Sequence, residues 1–377
     1  MPSLIAEQCV GYALDLAPKP ARKRVEESLN RIVIVGATGN FGRLVSKSLV
    51  ARSDTGEILV TSRHRARAER LVRQLQPDRA AVSLAAAQLD ANSVDSCRRA
   101  VAGAALCIDL AGPFQHREST LVRACAEGGC DYLDFSEDAE YSGAVARVAA
   151  SASIRAFTSH STFSATTLLL AHRLVERVGN LAEVRSGLVM ATGGGAGPAA
   201  MQSLLNTLDD QRIIARAEFT LTYPEPIGAR KLLVYPTADN RWFRDVLRIP
   251  RCVSGIGFTN IAVAPMLMLL RKTGIRLSIL LPILLVGQSI LQRLPQSGMR
   301  GCLQVWGRGS EKDGAVSLLA YENGIAVPCF PAILTGIKYL RGERPMSEPG
   351  LHWLHEWLPW AEWERFCSEW TVRLHET

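Results

Sequence analysis

The chain has 377 residues, a formal net charge of +7 and a hydrophobic content of 47%. This length and composition predict about two domains with substantial cores and exclude a disordered protein. The basic residues are scattered, without zinc-finger spacing or an aromatic RNA-binding motif, so we predict no nucleic-acid partner.

The first residues hold a basic cluster but lack the ordered charged, apolar and cleavage regions of a secretory signal. We therefore expect an N-terminal extension at residues 1–28 and a cytoplasmic location. The nine cysteines include no C-x-x-C pair. They are predicted to be reduced, buried thiols, and no metal site is predicted.

The stretch from Arg31 to Gly42 reads R-I-V-I-V-G-A-T-G-N-F-G and joins an apolar strand, a glycine turn and a helix start. Its β-branched run is typical of a central parallel strand that is covered on both faces. The glycine spacing suits a tight turn, a close backbone approach to phosphate and close packing of the helix on its strand. The positive end of the helix then faces an anion. The dinucleotide contacts predicted in this turn are Gly36, Thr38, Gly39, Asn40, Phe41 and Gly42.

The second predicted strand, Glu57 to Thr61, ends without the acidic residue that would bind the ribose 2′-hydroxyl of NAD. The chain continues into Ser62, Arg63 and Arg65, whose hydroxyl and guanidinium donors suit a 2′-phosphate. These residues favour NADP. NAD is the alternative if the arginines only begin a solvated basic helix. Asp90, after the third strand, is a candidate adenine contact or a helix cap.

A fourth strand leads into L-A-G-P-F-Q at Leu110 to Gln115, a second loop at the carboxyl edge of the sheet. Small residues at this edge let the nicotinamide half of the cofactor lie close to the backbone, so we predict contacts from Ala111, Gly112 and Pro113. The alternation of strands and helices predicts an α/β, doubly wound parallel sheet of Rossmann type over residues 29–160.

Four ordered motifs carry a family resemblance: G-A-T-G-N-F-G from Gly36, the basic end of the second strand, A-G-P-F from Ala111, and A-C-A-E-G-G-C-D-Y-L-D-F-S-E from Ala124. In this combination the chain resembles the saccharopine dehydrogenase-like oxidoreductases. The resemblance implies an NADP-binding Rossmann domain followed by a smaller α+β domain that closes over the substrate. Many relatives have a glycine- and proline-rich loop after the sixth strand, whereas this chain has H-S-T-F-S-A-T-T from His160. The family includes amino-acid, polyamine-forming and lipid-related enzymes, so membership does not choose the substrate.

The main rival is an extended short-chain dehydrogenase, which uses a tyrosine followed four positions later by a lysine. None of the seven tyrosines has a lysine at that position, which excludes this rival. Hydride transfer also needs a proton source near the acceptor. The catalytic candidates are His116 after the second loop, Asp134 at the end of the fifth strand and His160 at the end of the sixth. A helix-capping surface histidine is the alternative for His116, and a hinge position is the alternative for His160.

Residues 161–340 are predicted to form the α+β substrate domain, and two of its segments favour different substrates. Basic and aromatic residues between Ala215 and Arg244 would bind carboxylates, unless they form an ordinary basic sheet face. Ile261 to Leu291 is strongly apolar, but basic residues divide it into pieces too short to span a membrane. We prefer burial or a subunit interface for these pieces and leave peripheral membrane contact and a homodimer open.

Five of the seven tryptophans lie in residues 341–377, at helical spacing interrupted by Pro359. We expect a helical tail that packs on the body of the protein. The complete sequence predicts a two-domain, NADP-dependent oxidoreductase acting on a small molecule. Reversible reduction of an imine is the preferred reaction, and reduction of a C=C or C=O bond in a hydrophobic, lipid or polyketide-like substrate is the alternative. An NADP(H)-binding sensor or scaffold without turnover is the hypothesis from another class.

Overall fold

The computed structural model describes residues 30–75, 81–115, 117–191, 197–209, 218–291, 301–321 and 324–377. The strands of the first sheet are β1 (Arg31–Val35), β2 (Glu57–Ser62), β3 (Ser83–Gln88), β4 (Leu106–Asp109), β5 (Asp131–Asp134), β6 (Arg155–Phe157) and β13 (Gly350–Leu351). The helices between them are α1 (Asn40–Arg52), α2 (Arg65–Leu75), α3 (Val94–Val101), α4 (Thr120–Gly128) and α5 (Ala139–Ser151).

The first sheet is entirely parallel and has the strand order β13-β6-β5-β4-β1-β2-β3. Ile32, Val33 and Ile34 of the central strand are fully buried, as expected for a parallel strand covered by helices on both faces. The chain order reverses at β1, between β2 and β4, which is the position where doubly wound sheets bind their ligands. The predicted Rossmann fold is confirmed.

A mixed second sheet follows. Its strands are β7 (Leu181–Met190), β8 (Glu218–Tyr223), β9 (Gly228–Val234), β10 (Arg251–Phe258), β11 (Gly301–Gly309), β12 (Asp313–Ala320) and β14 (Val372–Glu376), in the order β14-β12-β11-β7-β10-β9-β8. The helices of this part are α6 (Ala165–Val178), α7 (Pro198–Leu208), α8 (Asp239–Asp245), α9 (Val263–Lys272) and α10 (Leu281–Leu291). This arrangement confirms the predicted second α+β unit.

The C-terminal part of the chain contacts both sheets. Helix α11 (Phe330–Leu340) packs against α1 and β1, and β13 pairs with β6. The Tyr339 hydroxyl donates to Asp131 Oδ2 at 2.7 Å. Strand β14 pairs with β12, so the last residues complete the second sheet. The two parts of the fold are therefore joined by more than the connection that follows β6.

The tryptophan-rich tail packs on the body, as expected, and its helical part is interrupted at Pro359. It consists of α12 (Leu354–Trp357), a break that includes Pro359, α13 (Trp360–Glu369) and the strands β13 and β14. The side chain of Trp363 is fully buried and that of Trp353 is 3% exposed. The two strands of the tail were not predicted from the sequence, because they form by pairing with β6 and β12, which are distant in the chain.

The apolar segment between 261 and 291 is only half buried. Ala264, Leu267 and Leu277 pack into the second core, as predicted. The outer side of the segment is not buried within the chain, since Ile279 and Ile283 are each 69% exposed, so a subunit interface or a membrane contact stays a prediction for this side. Helices α9 and α10 carry apolar side chains on more than one side, and the elements packed against each helix cover only one of these sides. Within the described ranges, no helix combines the length and the apolar run needed to cross a membrane.

Candidate active site

The glycine turn is held in a conformation that only small residues permit. Gly36 has φ +73°, and a Cβ atom there would lie 2.9 Å from the Ala111 backbone. A Cβ atom on Gly42 would lie 2.2 Å from the Gly36 carbonyl oxygen. The Gly39 N–H donates to that same oxygen at 3.0 Å. The three glycines therefore close the turn, pack it on the second loop and bring α1 onto its strand.

Helix α1 presents its N-terminus at this turn. Gly39 is the N-cap residue and supplies no side-chain cap, and the first turn of the helix contains no acidic residue. First-turn N–H groups lack an intrahelical acceptor, so this end of the helix suits a phosphate. Gly197, directly before α7, lies near the Asn40 side chain, which brings the second part of the fold up to the turn. This cradle, which a Cβ atom would fill, fits the pyrophosphate of a dinucleotide.

The end of β2 lies beside the turn, because the Thr38 hydroxyl donates to Ser62 Oγ at 3.4 Å. The Arg63 side chain is exposed there. Arg65 forms an exposed ion pair with Glu69 at 2.9 Å, one turn along α2. Asp90 Oδ1 accepts from the Asn92 N–H, while Ser93 supplies the cap of α3. Arg63 is thus the predicted 2′-phosphate residue with the fewest competing contacts.

The second loop is held by a buried ion pair. Arg117 Nη1 lies 2.9 Å from Asp109 Oδ2 and 3.0 Å from the Ala111 carbonyl oxygen. Asp109 Oδ1 accepts from the Ala111 N–H at 3.1 Å, and Oδ2 accepts from the Tyr132 hydroxyl at 2.9 Å. The Arg117 guanidinium also lies over the rings of Phe114 and Tyr141. This network fixes the backbone next to Gly112 and Pro113.

A cavity of about 620 Å³ extends from this loop into the second part of the fold. Phe41, Gly112 and Pro113, three of the predicted cofactor contacts, lie in its wall. Most of the remaining wall is aliphatic or aromatic and comes from β7, α7, α9 and α10, among other elements. Ser161, Thr162 and Phe163, which follow β6 where the chain departs from the family pattern, also line it. The predicted nicotinamide edge therefore opens into an apolar chamber.

The polar groups of the cavity lie close to Glu137. Its Oε1 atom accepts from the Ser161 hydroxyl at 3.1 Å, and the Tyr235 hydroxyl lies beside the same carboxyl. Gln115 Nε2 donates to Ser203 Oγ at 2.6 Å. Burial raises the pKa of Glu137 to about 7, although hydrogen bonding from Ser161 opposes the increase. Burial also raises the pKa of Tyr235, so its hydroxyl stays protonated at neutral pH.

The predicted catalytic residues lie elsewhere. Asp134 and His160 are fully buried neighbours, joined by a 2.7 Å hydrogen bond from the His160 N–H to the Asp134 carbonyl oxygen. The Asp134 carboxyl accepts from the Thr158 hydroxyl and from the N–H groups of Ser136 and Ser159. Neither Asp134 nor His160 lines the cavity. His160 lies three residues beyond β6 rather than at its end, and burial lowers its pKa to about 3. His116 is outside the described residues and stays a prediction.

Sequence reasoning missed the pairing of Glu137 with Tyr235. Glu137 follows β5 at the carboxyl edge of the sheet, which is a usable signal. Tyr235 follows β9, about a hundred residues later, so no local spacing links the two side chains. Only the packing of the second sheet against the first brings them together.

Replacing Gly42 with alanine should weaken NADPH binding about tenfold or more, because the new methyl group would collide with the Gly36 backbone and open the turn. Titration of the cofactor's fluorescence measures this. Gly128→Ala, at the end of α4, is the matched control because its Cβ atom would meet only Val101 Cγ2 at 3.5 Å. Unchanged affinity in Gly42→Ala would contradict the assignment of the turn.

Arg63→Ala should weaken NADPH binding by about tenfold to a hundredfold and leave NADH binding nearly unchanged, because only NADPH carries the 2′-phosphate. Parallel titrations with both cofactors measure the difference. Arg67→Ala, at an exposed position on α2, is the control. Equal losses of affinity for NADPH and NADH would contradict the proposed role of Arg63.

Comparison with known proteins agrees with this geometry. Residues 32–166 match the family model described as the saccharopine dehydrogenase NADP binding domain. A probable mitochondrial saccharopine dehydrogenase-like oxidoreductase from Arabidopsis thaliana is 30% identical over 122 residues, which cover 30% of this chain and 27% of that protein. The match thus spans only about a quarter of the plant protein.

The fold is also similar to that of the L-glutamate-forming saccharopine dehydrogenase from Saccharomyces cerevisiae. The match has a TM-score of 0.58 and covers 92% of this chain and 99% of that one at 14% identity, which shows a shared fold. Residues 32–166 thus match the saccharopine dehydrogenase NADP binding domain, and this match supports NADP as the cofactor of the domain.

Proposed function

We propose that this chain is an NADPH-dependent oxidoreductase that reduces a polarised C=C or C=O bond in an apolar small molecule. The observation that carries the proposal is the apolar cavity that begins at Gly112 and Pro113, where the nicotinamide is expected. An apolar chamber of this kind favours a hydrophobic substrate over a charged one. We therefore propose reduction of a C=C or C=O bond, which was the alternative reaction in the sequence analysis, instead of reduction of an imine.

The described cations of the basic segment between Ala215 and Arg244 form no carboxylate clamp in the cavity. Among its described members, Lys231 pairs with Glu218, and Arg241 pairs with Asp245 at 3.1 Å. Arg230 donates to the Ala229 carbonyl oxygen, and Arg244 contacts the Cys252 sulfur. None of these four cations lines the cavity. Their positions support the ordinary sheet-face interpretation and weaken the case for an amino dicarboxylate substrate.

Different residues of the chain bind the cofactor, exclude water and donate the proton. The glycine turn and Arg63 hold the phosphates, and the loop braced by Arg117 positions the nicotinamide end. When bound, NADPH supplies a hydride to the acceptor carbon. The apolar wall excludes water from that carbon. Glu137, with Tyr235 beside it, donates the proton that completes the reduction and then regains one from solvent.

The proposal also includes the division of the chain into domains and its location in the cell. Residues 29–160 form the cofactor domain, residues 161–340 supply most substrate contacts, and residues 341–377 brace both. The cytoplasmic location expected from the sequence remains a prediction.

Purified protein should oxidise NADPH with medium-chain and long-chain enals, enones or ketones, and not with 2-oxo acids mixed with amino acids. Within a homologous series, kcat/KM should rise by about threefold to fourfold for each added methylene until the cavity is full. Absorbance of NADPH measures the rate. Tight NADPH binding with no turnover of any apolar compound would contradict the proposal and favour the sensor hypothesis.

The pH dependence should follow Glu137. Its pKa of about 7 leaves the carboxyl protonated below pH 7, so kcat/KM should fall as the pH rises through 7. Glu137→Gln should lower kcat by about a hundredfold or more, flatten this profile and leave NADPH affinity unchanged. Glu140→Gln, on an exposed residue of α5, is the control. An unaltered profile in Glu137→Gln would show that another group donates the proton.

A further inference from the structure

The outer sides of α9, α10 and their connection carry an unusual concentration of exposed apolar side chains. Across the part of the chain with described burial, eight large hydrophobic side chains are exposed, and seven lie between residues 261 and 286. We call these seven the apolar patch: Ile261, Met266, Leu269, Ile275, Ile279, Ile283 and Val286. Single exposed hydrophobic residues are normal on a protein surface, but a cluster of this size indicates a contact surface.

The patch surrounds one wall of the substrate cavity. Met266 and Ile283 line the cavity and are also 48% and 69% exposed. Their neighbours Leu267 and Leu284 line the cavity from the same two helices. The apolar patch and the cavity wall therefore share two side chains, and the same two helices form both surfaces.

The stretch of sequence that carries the patch has charges of one sign, and one carboxylate from elsewhere in the chain, that of Asp209, accepts from the Leu277 and Ser278 N–H groups beside the patch. From residue 246 to residue 310 the sequence contains no aspartate or glutamate. The same stretch contains the cations Arg248, Arg251, Arg271, Lys272, Arg276, Arg293, Arg300 and Arg308. Arg276 is exposed next to Ile275 of the patch. Apolar side chains within a purely basic stretch are complementary to the surface of an anionic bilayer.

A second copy of this chain is a poorer occupant of the patch. A twofold contact would place the same surface against itself and bring two basic stretches together, which is electrostatically unfavourable. An anionic lipid surface satisfies both the apolar area and the charge. The described helices here are also too short to cross the bilayer, which fits peripheral contact.

We propose that the apolar patch docks on the surface of an anionic phospholipid bilayer and that the cavity receives its apolar substrate from that bilayer. The second half of the inference rests on the proposed function, whereas the docking does not. Docking by the patch would place the two helices that line the cavity against the acyl region, where a water-insoluble substrate is concentrated.

Flotation of the full chain with phospholipid vesicles tests the docking without cofactor or substrate. We expect the wild type to float with vesicles of phosphatidylcholine and phosphatidylglycerol, and to float less with phosphatidylcholine alone. The triple variant Leu269→Ser, Ile279→Ser and Val286→Ser alters patch residues outside the cavity wall and should bind vesicles about tenfold more weakly or worse. Arg276→Gln should reduce the preference for phosphatidylglycerol.

Val94→Ser is the matched control because Val94 is 48% exposed on α3, outside the patch. It should float like the wild type, and the triple variant should keep wild-type NADPH affinity and thermal unfolding. Failure of the wild type to float with the anionic vesicles, or equal flotation of the triple variant, would overturn the proposal. So would light scattering that shows a wild-type dimer which the triple variant cannot form, together with no vesicle binding. Absence of NADPH turnover with intact flotation would overturn only the proposed function.

Discussion

The structure depends on the close contact between the glycine turn after β1 and the loop after β4. The backbone of Ala111 lies where a side chain on Gly36 would be, so the two loops approach more closely than any other residue would permit. This contact aligns the phosphate-binding end of α1 with the loop where the nicotinamide is expected. In the proposed function, this contact would set the direction in which the cofactor enters the cavity.

The loop after β4 keeps its position because a charged network is buried beneath it. Burial of Asp109 and Arg117 costs solvation energy, which their 2.9 Å contact offsets together with hydrogen bonds from Tyr132 and the Ala111 N–H. Removing one partner of such a buried pair typically lowers the stability of a protein by about 3 to 5 kcal/mol. The buried network fixes the backbone of this loop, and in the proposed function the position of that backbone would decide whether a hydride donor meets its acceptor.

The local parts of this architecture were readable from the sequence, whereas the contacts between distant segments were not. The turn from Gly36 to Gly42 and the alternation of strands and helices follow from local glycine spacing and hydrophobic runs, which act over a few residues. The apolar character of the cavity depends on which sides of α7, α9 and α10 face inward, and the sequence of these helices is apolar on several sides. Glu137 and Tyr235 meet through tertiary packing alone, so no local pattern in the sequence indicates the pair. The sequence favoured Asp134 and His160, which are buried neighbours at the end of the first sheet.

In the proposed function, the nicotinamide ring meets an apolar chamber at Gly112 and Pro113. A crystal structure of the complex with NADP would show directly where this ring lies. We expect pyrophosphate at the N-terminus of α1, the 2′-phosphate at Arg63, and nicotinamide C4 facing the cavity near Glu137 and Tyr235. A nicotinamide ring directed into solvent, or separated from the cavity by protein, would contradict it.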